Sequence, residues 1–202
     1  MSNLACASNF VETADAKQLQ HYLFSNDLFP VLQSAYRPKH SIGTALLQVT
    51  NDILLNINDQ RVTLLLLLGL SAAFDIVDHV TSLHRLQFTF GINGKVLSWF
   101  SSYLSGRSQQ IAINETLSTE FELQCGVPQG SCLGPLLFTL YYSNLFEIIK
   151  HHFPTVYCYA DDTPVYISFC PNDRLDYLNA GQFLGSCIIL IFVLGCRMTI
   201  LN

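Results

Sequence analysis

Charge is scarce in this chain. Only 12% of its 202 residues are Asp, Glu, Lys or Arg, and the balance is acidic, at −5. A polypeptide that grips a nucleic-acid backbone ordinarily shows a basic stripe that displaces counterions from phosphates. Any such grip here rests on few cations, chiefly Arg37, Lys39, His40, Arg61, Arg85, Lys95 and Arg107. The seven cysteines contain no Cys-x-x-Cys pair, which argues against a structural zinc or dithiol motif and fits reduced, buried thiols. His151 and His152 are adjacent, point apart and have no second ligand pair, so zinc is not expected there either. No basic segment precedes an apolar run at the start, so no signal peptide is legible. Residues 183–196 are apolar but shorter than the about 20 residues a membrane helix needs, so an anchor is not expected and the expected location is intracellular. Repeats, low-complexity tracts and linkers are lacking as well. What the chain does have is 50% hydrophobic residues, enough for one sizeable globular core.

Two adjacent carboxylates stand out against this background. Residues 155–159 (TVYCY) and 165–169 (VYISF) are rich in β-branched and aromatic side chains and predict two strands, with Asp161-Asp162-Thr163-Pro164 as the turn. Magnesium takes hard oxygen ligands, usually one or two carboxylates plus substrate phosphates, and a hairpin tip can present such a pair. An Asp pair is equally a plain turn former. Pro164 removes a backbone donor from the returning strand, which is tolerated best at a strand's first residue.

A second constellation is Gly126-Val127-Pro128-Gln129-Gly130-Ser131 followed by Cys132-Leu133-Gly134-Pro135. Apolar residues at 136, 137, 140, 141, 145, 148 and 149 keep helical spacing, with Pro135 suited to the first turn. A glycine loop that opens a helix can bring backbone amides close to phosphate, and Gln129 offers an amide to a base or sugar. The same joint also occurs for purely structural reasons. Elsewhere, Ser41 and the 3.6-residue spacing of Ile42, Ala45, Leu46, Val49, Ile53, Leu54 and Ile57 predict a capped helix whose apolar face enters the core. Val80, Leu83, Leu86 and Phe90 before Gly91, and Val96, Leu97, Phe100, Tyr103 and Leu104 before Gly106, predict two more helices. Leu64–Leu68 reads as a central strand covered on both faces, and residues 108–113 and 121–125 as further strands.

Taken in order, the blocks QSAYRPKHSIGTALLQVTNDIL, LLLLLGLSAAFDIVDH, WFSSYLSGRSQQ, CGVPQGSCLGPLLFTLYYSNL and YADDTPVYISF resemble the reverse transcriptase domain of LINE-type non-LTR retrotransposons. The resemblance covers roughly residues 2–169. It implies an α+β right-hand polymerase palm with partial fingers, an antiparallel sheet with helices packed on one face. The implied domains are 1–172, a partial reverse transcriptase domain (1–62 fingers-like, 63–172 palm), and 173–202, a divergent apolar tail. It further implies that Asp161 and Asp162 are catalytic metal ligands for Mg²⁺, that Phe74 is the aromatic gate that tells deoxyribose from ribose, and that Gln129 and Gly130 face the nucleotide. Arg37 and Lys39, in the fingers-like block, are the candidates for template or triphosphate contact. RNA template, DNA primer and dNTP are the implied partners, and no feature specifies an oligomeric state.

One position departs from the pattern. The block that would read Leu-Asp-Leu-Ser-Ala-Ala-Phe-Asp carries Gly69 where the family places its first catalytic aspartate. Asp75 lies six residues further, on the order of 20 Å along an extended strand, whereas the ions of a two-metal site are about 4 Å apart. The chain also begins inside what resembles the first fingers motif and shows no legible thumb. The expectation is therefore a retroelement fragment of RNA-directed DNA polymerase type that is catalytically inactive. The alternatives are an active polymerase, or a non-enzymatic binding or membrane-associated product.

Overall fold

A computed structural model describes residues 6–70, 73–114, 116–128, 130–152, 155–173, 176, 178–185 and 196–201. They fall into two compact units, Met1–Phe29 with Ala72–Tyr141, and Pro30–Ser71 with Tyr142–Asn202.

The first unit is helical. It contains α1 (Cys6–Ser25), α3 (His79–Phe88), α4 (Gly94–Leu104) and the beginning of α5 (Gly134–His152). The stripe that α1 buries is Glu12, Ala16, Leu19 and Leu23, at helical spacing but with a carboxylate and a small residue in it, so hydrophobicity alone does not reveal this helix. Asp78 caps α3 by accepting the Thr81 N–H at 2.7 Å. Leu86, Phe90, Phe100 and Leu104 bury as the spacing predicts, whereas Val80 and Val96 stay exposed. Leu133, Leu136, Leu137, Phe138 and Leu140 complete the core of this unit. The strands expected at 108–113 and 121–125 shrink to two-residue ladders, Ser108–Gln109 (β2) with Phe121–Glu122 (β5) and Ala112–Ile113 (β3) with Thr116–Leu117 (β4), all exposed.

The second unit is built on an antiparallel sheet. Its order is β6 (Thr155–Val156), β7 (Asp162–Phe169), β1 (Val62–Leu70) and β8 (Cys196–Leu201). Leucine-rich β1 is central in the ladder, but its two faces differ, which corrects the expectation of cover on both. Leu66 and Leu68 are buried with their partners Val165 and Thr163, while Leu67 is exposed. The side-chain period of two therefore leaves positions 67 and 69 on the more open face. The apolar tail contributes β8, which extends the sheet as its edge strand; residues 186–195, the greater part of the run at 183–196, lie outside the described residues. Among the described residues no helix is long and apolar enough to cross a membrane.

Helix α2 (Ile42–Asn58) starts at Ser41 with a reciprocal cap, Ser41 accepting from the Thr44 amide and Thr44 from the Ser41 amide. Its apolar face does not enter the core as expected. Val49 is buried, but Ile42, Leu46, Leu47, Leu54, Leu55 and Ile57 are each more than half exposed. What fastens α2 is polar: Asp52 accepts from the hydroxyls of Tyr166 and Tyr157, and Gln48 donates to the Tyr157 hydroxyl at 2.6 Å.

Candidate active site

The carboxylate pair sits on a tighter hairpin than the sequence suggests. Tyr159 and Asp162 exchange backbone hydrogen bonds of 2.8 and 3.0 Å, so the turn is Ala160-Asp161 and Asp162 is already the first residue of β7. Pro164 is then the third residue of the strand, not its first. It is accommodated because its carbonyl accepts from the Tyr157 N–H at 3.2 Å, so its missing donor also faces that side, past the end of β6, and not toward β1.

Ala160 adopts φ 56°, a left-handed conformation unfavourable for a residue with a Cβ. The side chain of Gln33 holds it there. Its Oε1 accepts from the N–H of Ala160 at 2.9 Å and of Ala35 at 3.0 Å, and its Nε2 donates to the Ala160 carbonyl at 3.1 Å. Backbone bonds from Ser34 to Cys158 and from Cys158 to Leu32 join the same two segments. Gln33 is only 1% exposed. A buried amide that satisfies both backbone groups of a strained turn residue fixes the direction of the two carboxylates that follow. Sequence reasoning gave Gln33 no role, because nothing local marks a glutamine that reaches a turn more than a hundred residues away.

In the β1–β7 ladder Gly69 is the direct partner of Asp162, so side chains at these positions share one face. A Cβ placed on Gly69 would lie 3.6 Å from Asp162 Oδ1, an ordinary contact distance. Position 69 thus has room for a side chain, directed at the doublet, and supplies none. Although Asp162 as a residue is exposed, partial desolvation of its carboxyl raises its pKa, and the Asp161 charge adds to that. The same Asp161 charge, after burial, helps raise the pKa of Tyr36. The donor set does not fit a two-ion centre. Two carboxylates meet, the third position carries no oxygen, and among the described residues no group of three His, Cys, Asp or Glu is placed to hold a metal ion.

Of the fingers-block cations, the Arg37 guanidinium is partly engaged, donating to the Val31 carbonyl at 3.0 Å. Lys39 is exposed, with φ 64°.

Phe74 and Gly130 belong to the first unit, and Gln129 lies outside the described residues. There the glycine loop runs beside the Phe74 segment: Val127 N–H donates to the Phe74 carbonyl and Gly126 N–H to the Val77 carbonyl, each at 2.8 Å. Gly126 adopts φ 93°, a backbone conformation that L side chains rarely take, so a substitution there would be strained. Phe74 is half-buried, edge-on to Phe138. Asp75 is exposed in the turn that follows it. Buried Glu12 of α1 accepts the Cys132 N–H at 3.0 Å, which ties the loop to α1, and Ser131 Oγ accepts the Gly134 N–H at 2.8 Å at the start of α5.

Residues 2–182 match the family described as reverse transcriptase (RNA-dependent DNA polymerase). The chain belongs to the reverse transcriptase family. Similar curated proteins are the probable RNA-directed DNA polymerases from transposon X-element and transposon BS of Drosophila melanogaster. They are 28% and 26% identical over 179 residues each, covering 87% and 86% of this chain and 20% of either relative. The RNA-directed DNA polymerase from mobile element jockey, of the same organism, is 27% identical over 67% of the chain and 15% of its own length. All three are products of mobile elements, in keeping with the retrotransposon resemblance of the ordered motifs, and this chain spans about a fifth of the first two. Among solved structures, apo telomerase of Candida tropicalis truncated from its C-terminal domain superimposes with a TM-score of 0.62 at 12% identity, over 95% of this chain and 40% of that one. Telomerase of Candida albicans in complex with a TWJ fragment of telomeric RNA gives 0.57 at the same identity, over 95% and 34%. At that identity the likeness concerns the fold, an α+β right-hand polymerase with an antiparallel sheet.

Proposed function

We propose that this chain is a retroelement reverse-transcriptase polypeptide that keeps the polymerase fold and has lost the chemistry of RNA-directed DNA synthesis. The observation that carries the reading is Gly69, whose Cβ position lies 3.6 Å from Asp162 Oδ1. In two-metal phosphoryl transfer the ions activate the attacking oxygen, neutralise the leaving group and hold the in-line geometry, and carboxylates must gather both ions. Reverse transcriptases depend on divalent metal in general. Here Asp161 and Asp162 remain as Mg²⁺ ligands without the partner that would complete the centre.

On the same reading residues 1–62 serve as a fingers-like region, 63–172 as the palm and 173–202 as a divergent tail whose end has been taken into the sheet. Phe74 acts as sugar gate, Gln129 and Gly130 face the nucleotide, and Arg37 and Lys39 meet template or triphosphate. RNA template, DNA primer and dNTP are the substrates of the intact enzyme type. With an overall charge of −5, this chain holds nucleic acid weakly.

The test is Mg²⁺-dependent primer extension on an RNA template by the unmodified chain and by Gly69→Asp. No extension by the unmodified chain is expected. Templated extension by it would overturn the reading.

A further inference from the structure

Helix α2 leaves one apolar stripe uncovered. Gly43, Leu46, Leu47, Thr50, Leu54 and Ile57 fall within an arc of about 100° around its axis, at 3.6 residues per turn. All six are exposed, and the four aliphatic ones are each at least 60% so. The residues that hold α2 to its own unit lie elsewhere on the helix. Val49 is buried, and Asp52, on the far side from the stripe, accepts from the Tyr166 and Tyr157 hydroxyls.

Spacing, charge and size together say what covers the stripe. Gly43, Leu47, Thr50, Leu54 and Ile57 recur at steps of four, three, four and three, the 3.5-residue repeat of a helix-pairing seam. The series reads almost the same in either direction about Thr50, so it is complementary to itself. In an antiparallel pair Leu47 meets the partner's Leu54, and Gly43 meets the partner's Ile57. Gly43 leaves a hole for it. Among the described residues, and beyond α2 itself, only the Ser41 hydroxyl, at 3.6 Å, lies within 4 Å of a Cβ placed there. Charge disfavours two other occupants. α2 carries no Lys or Arg, and its one carboxylate, Asp52, is engaged away from the stripe, whereas lipid-surface helices and nucleic-acid contacts draw on cations. Four aliphatic side chains this exposed, with Gly43 and Thr50, offer on the order of 500 Å² per copy, so two copies bury about 1,000 Å², the lower limit for a specific interface.

We propose that two copies of this chain pair through α2, antiparallel and about a two-fold axis near Thr50. Leu47 and Leu54 interleave at the centre, and Ile57 of each copy sits over Gly43 of the other. The contact uses the same patch on both copies, so it closes at two and leaves no stripe for a third. An interface of this size gives a weak dimer, with Kd of about 10 μM. The proposal draws on α2 alone and is independent of whether position 69 supports catalysis.

Sedimentation velocity of the full chain across about 1–100 μM is the experiment. The unmodified chain is expected to pass from monomer to dimer and no further. Leu54→Glu is expected to raise Kd about tenfold or more, because it puts a carboxylate into the seam. Gly43→Leu is the sharper variant. It adds apolar surface and favours the helix, yet it fills the hole, so it is also expected to raise Kd about tenfold or more. Stronger association of Gly43→Leu would mean unspecific adhesion and overturn the proposal. So would a monomer throughout the range, assembly beyond the dimer, or an unchanged Kd in Leu54→Glu with native circular dichroism. Flotation of a monomeric chain with phosphatidylserine vesicles would assign the stripe to lipid and likewise overturn it. Orientation is read by mixing and oxidising Leu47→Cys and Leu54→Cys chains. Mass spectrometry is expected to find disulfides from 47 to 54, and links from 47 to 47 and 54 to 54 in their place would overturn the antiparallel register. The concentration series needs no variant, so it decides even where a substitution impairs folding.

Discussion

Gly69→Asp is expected to make the thermal stability of the chain depend on Mg²⁺ well beyond any response of the unmodified chain. In the variant a new carboxylate would lie within about 4 Å of that of Asp162, given the 3.6 Å already found at the Cβ position. Two unit charges at that separation repel by about 1 kcal/mol in water and about 4 kcal/mol at an effective dielectric of 20. The site is partly open, so about 1–2 kcal/mol is the appropriate range. Replacing glycine inside a strand returns roughly 0.5–1 kcal/mol. The net loss without metal is about 1 kcal/mol, or a few degrees in Tm at roughly 2–4 °C per kcal/mol for a chain of this size. With Mg²⁺ at about 100 times Kd, binding to the native state adds about 2.7 kcal/mol, so the variant should melt above the unmodified chain. The assay is calorimetry or circular dichroism with EDTA against Mg²⁺, and the readout is the difference between the two proteins in their response. An equal Mg²⁺ stabilisation of the unmodified chain would mean that two carboxylates suffice, and an indifferent variant would mean that position 69 is not aimed at the doublet.

Other consequences can be checked on the same protein. Gln33→Leu removes three hydrogen bonds and leaves the Ala160 N–H and carbonyl without their partner, so it should cost about 2–3 kcal/mol; a loss below about 0.5 kcal/mol in denaturant unfolding would show that the turn holds itself. Asp78→Ala should cost about 1 kcal/mol through loss of the α3 cap. Because the side-chain and backbone hydrogen bonds from Thr81 lower the Asp78 pKa below 3.8, its contribution is present above that value and is lost as pH falls through the depressed folded value; an Asp78→Ala deficit that persisted unchanged into strong acid would contradict this. Burial pushes the Cys158 thiol up to about 12, so iodoacetamide should modify exposed Cys125 and Cys132 in the native protein and spare Cys158; mass spectrometry showing Cys158 alkylated at the same rate would refute its placement.

The parts of the fold legible in the sequence are those where one physical signal dominates. Ser41 and Thr44 bracket the start of α2, the leucines of β1 announce a core strand, and Gly134 and Pro135 mark the entry of α5, and each stands where its chemistry indicates. Legibility failed where the burial pattern and the hydrophobic pattern differ. α1 hides a glutamate and an alanine in its buried stripe, while α2 displays a strong apolar period and leaves most of it exposed. Periodicity reports which side chains prefer burial, not whether a neighbour exists to bury them. The turn at Ala160 was misplaced by a residue or two for a related reason. Local propensity assigned the bend to the Asp and Pro that favour turns, whereas Gln33, distant in sequence, holds it at Ala160.

Gly69 illustrates why a missing side chain is easier to read than a present one. A glycine inside a central strand sacrifices packing and backbone order, and the room around this one shows that no close backbone approach demands it. The usual structural excuse for a strand glycine is therefore lacking, and what remains is electrostatic. Carboxylates gathered at one place repel one another unless a cation sits among them, and Asp162, partly desolvated and beside the charge of Asp161, already holds its proton more tightly. Removing one of the three lowers the repulsion of the metal-free fold even as it dismantles the two-ion centre. On the proposed reading, a chain no longer required to bind metal gains stability by this change, so that loss of catalysis and retention of the fold would be compatible results of one substitution.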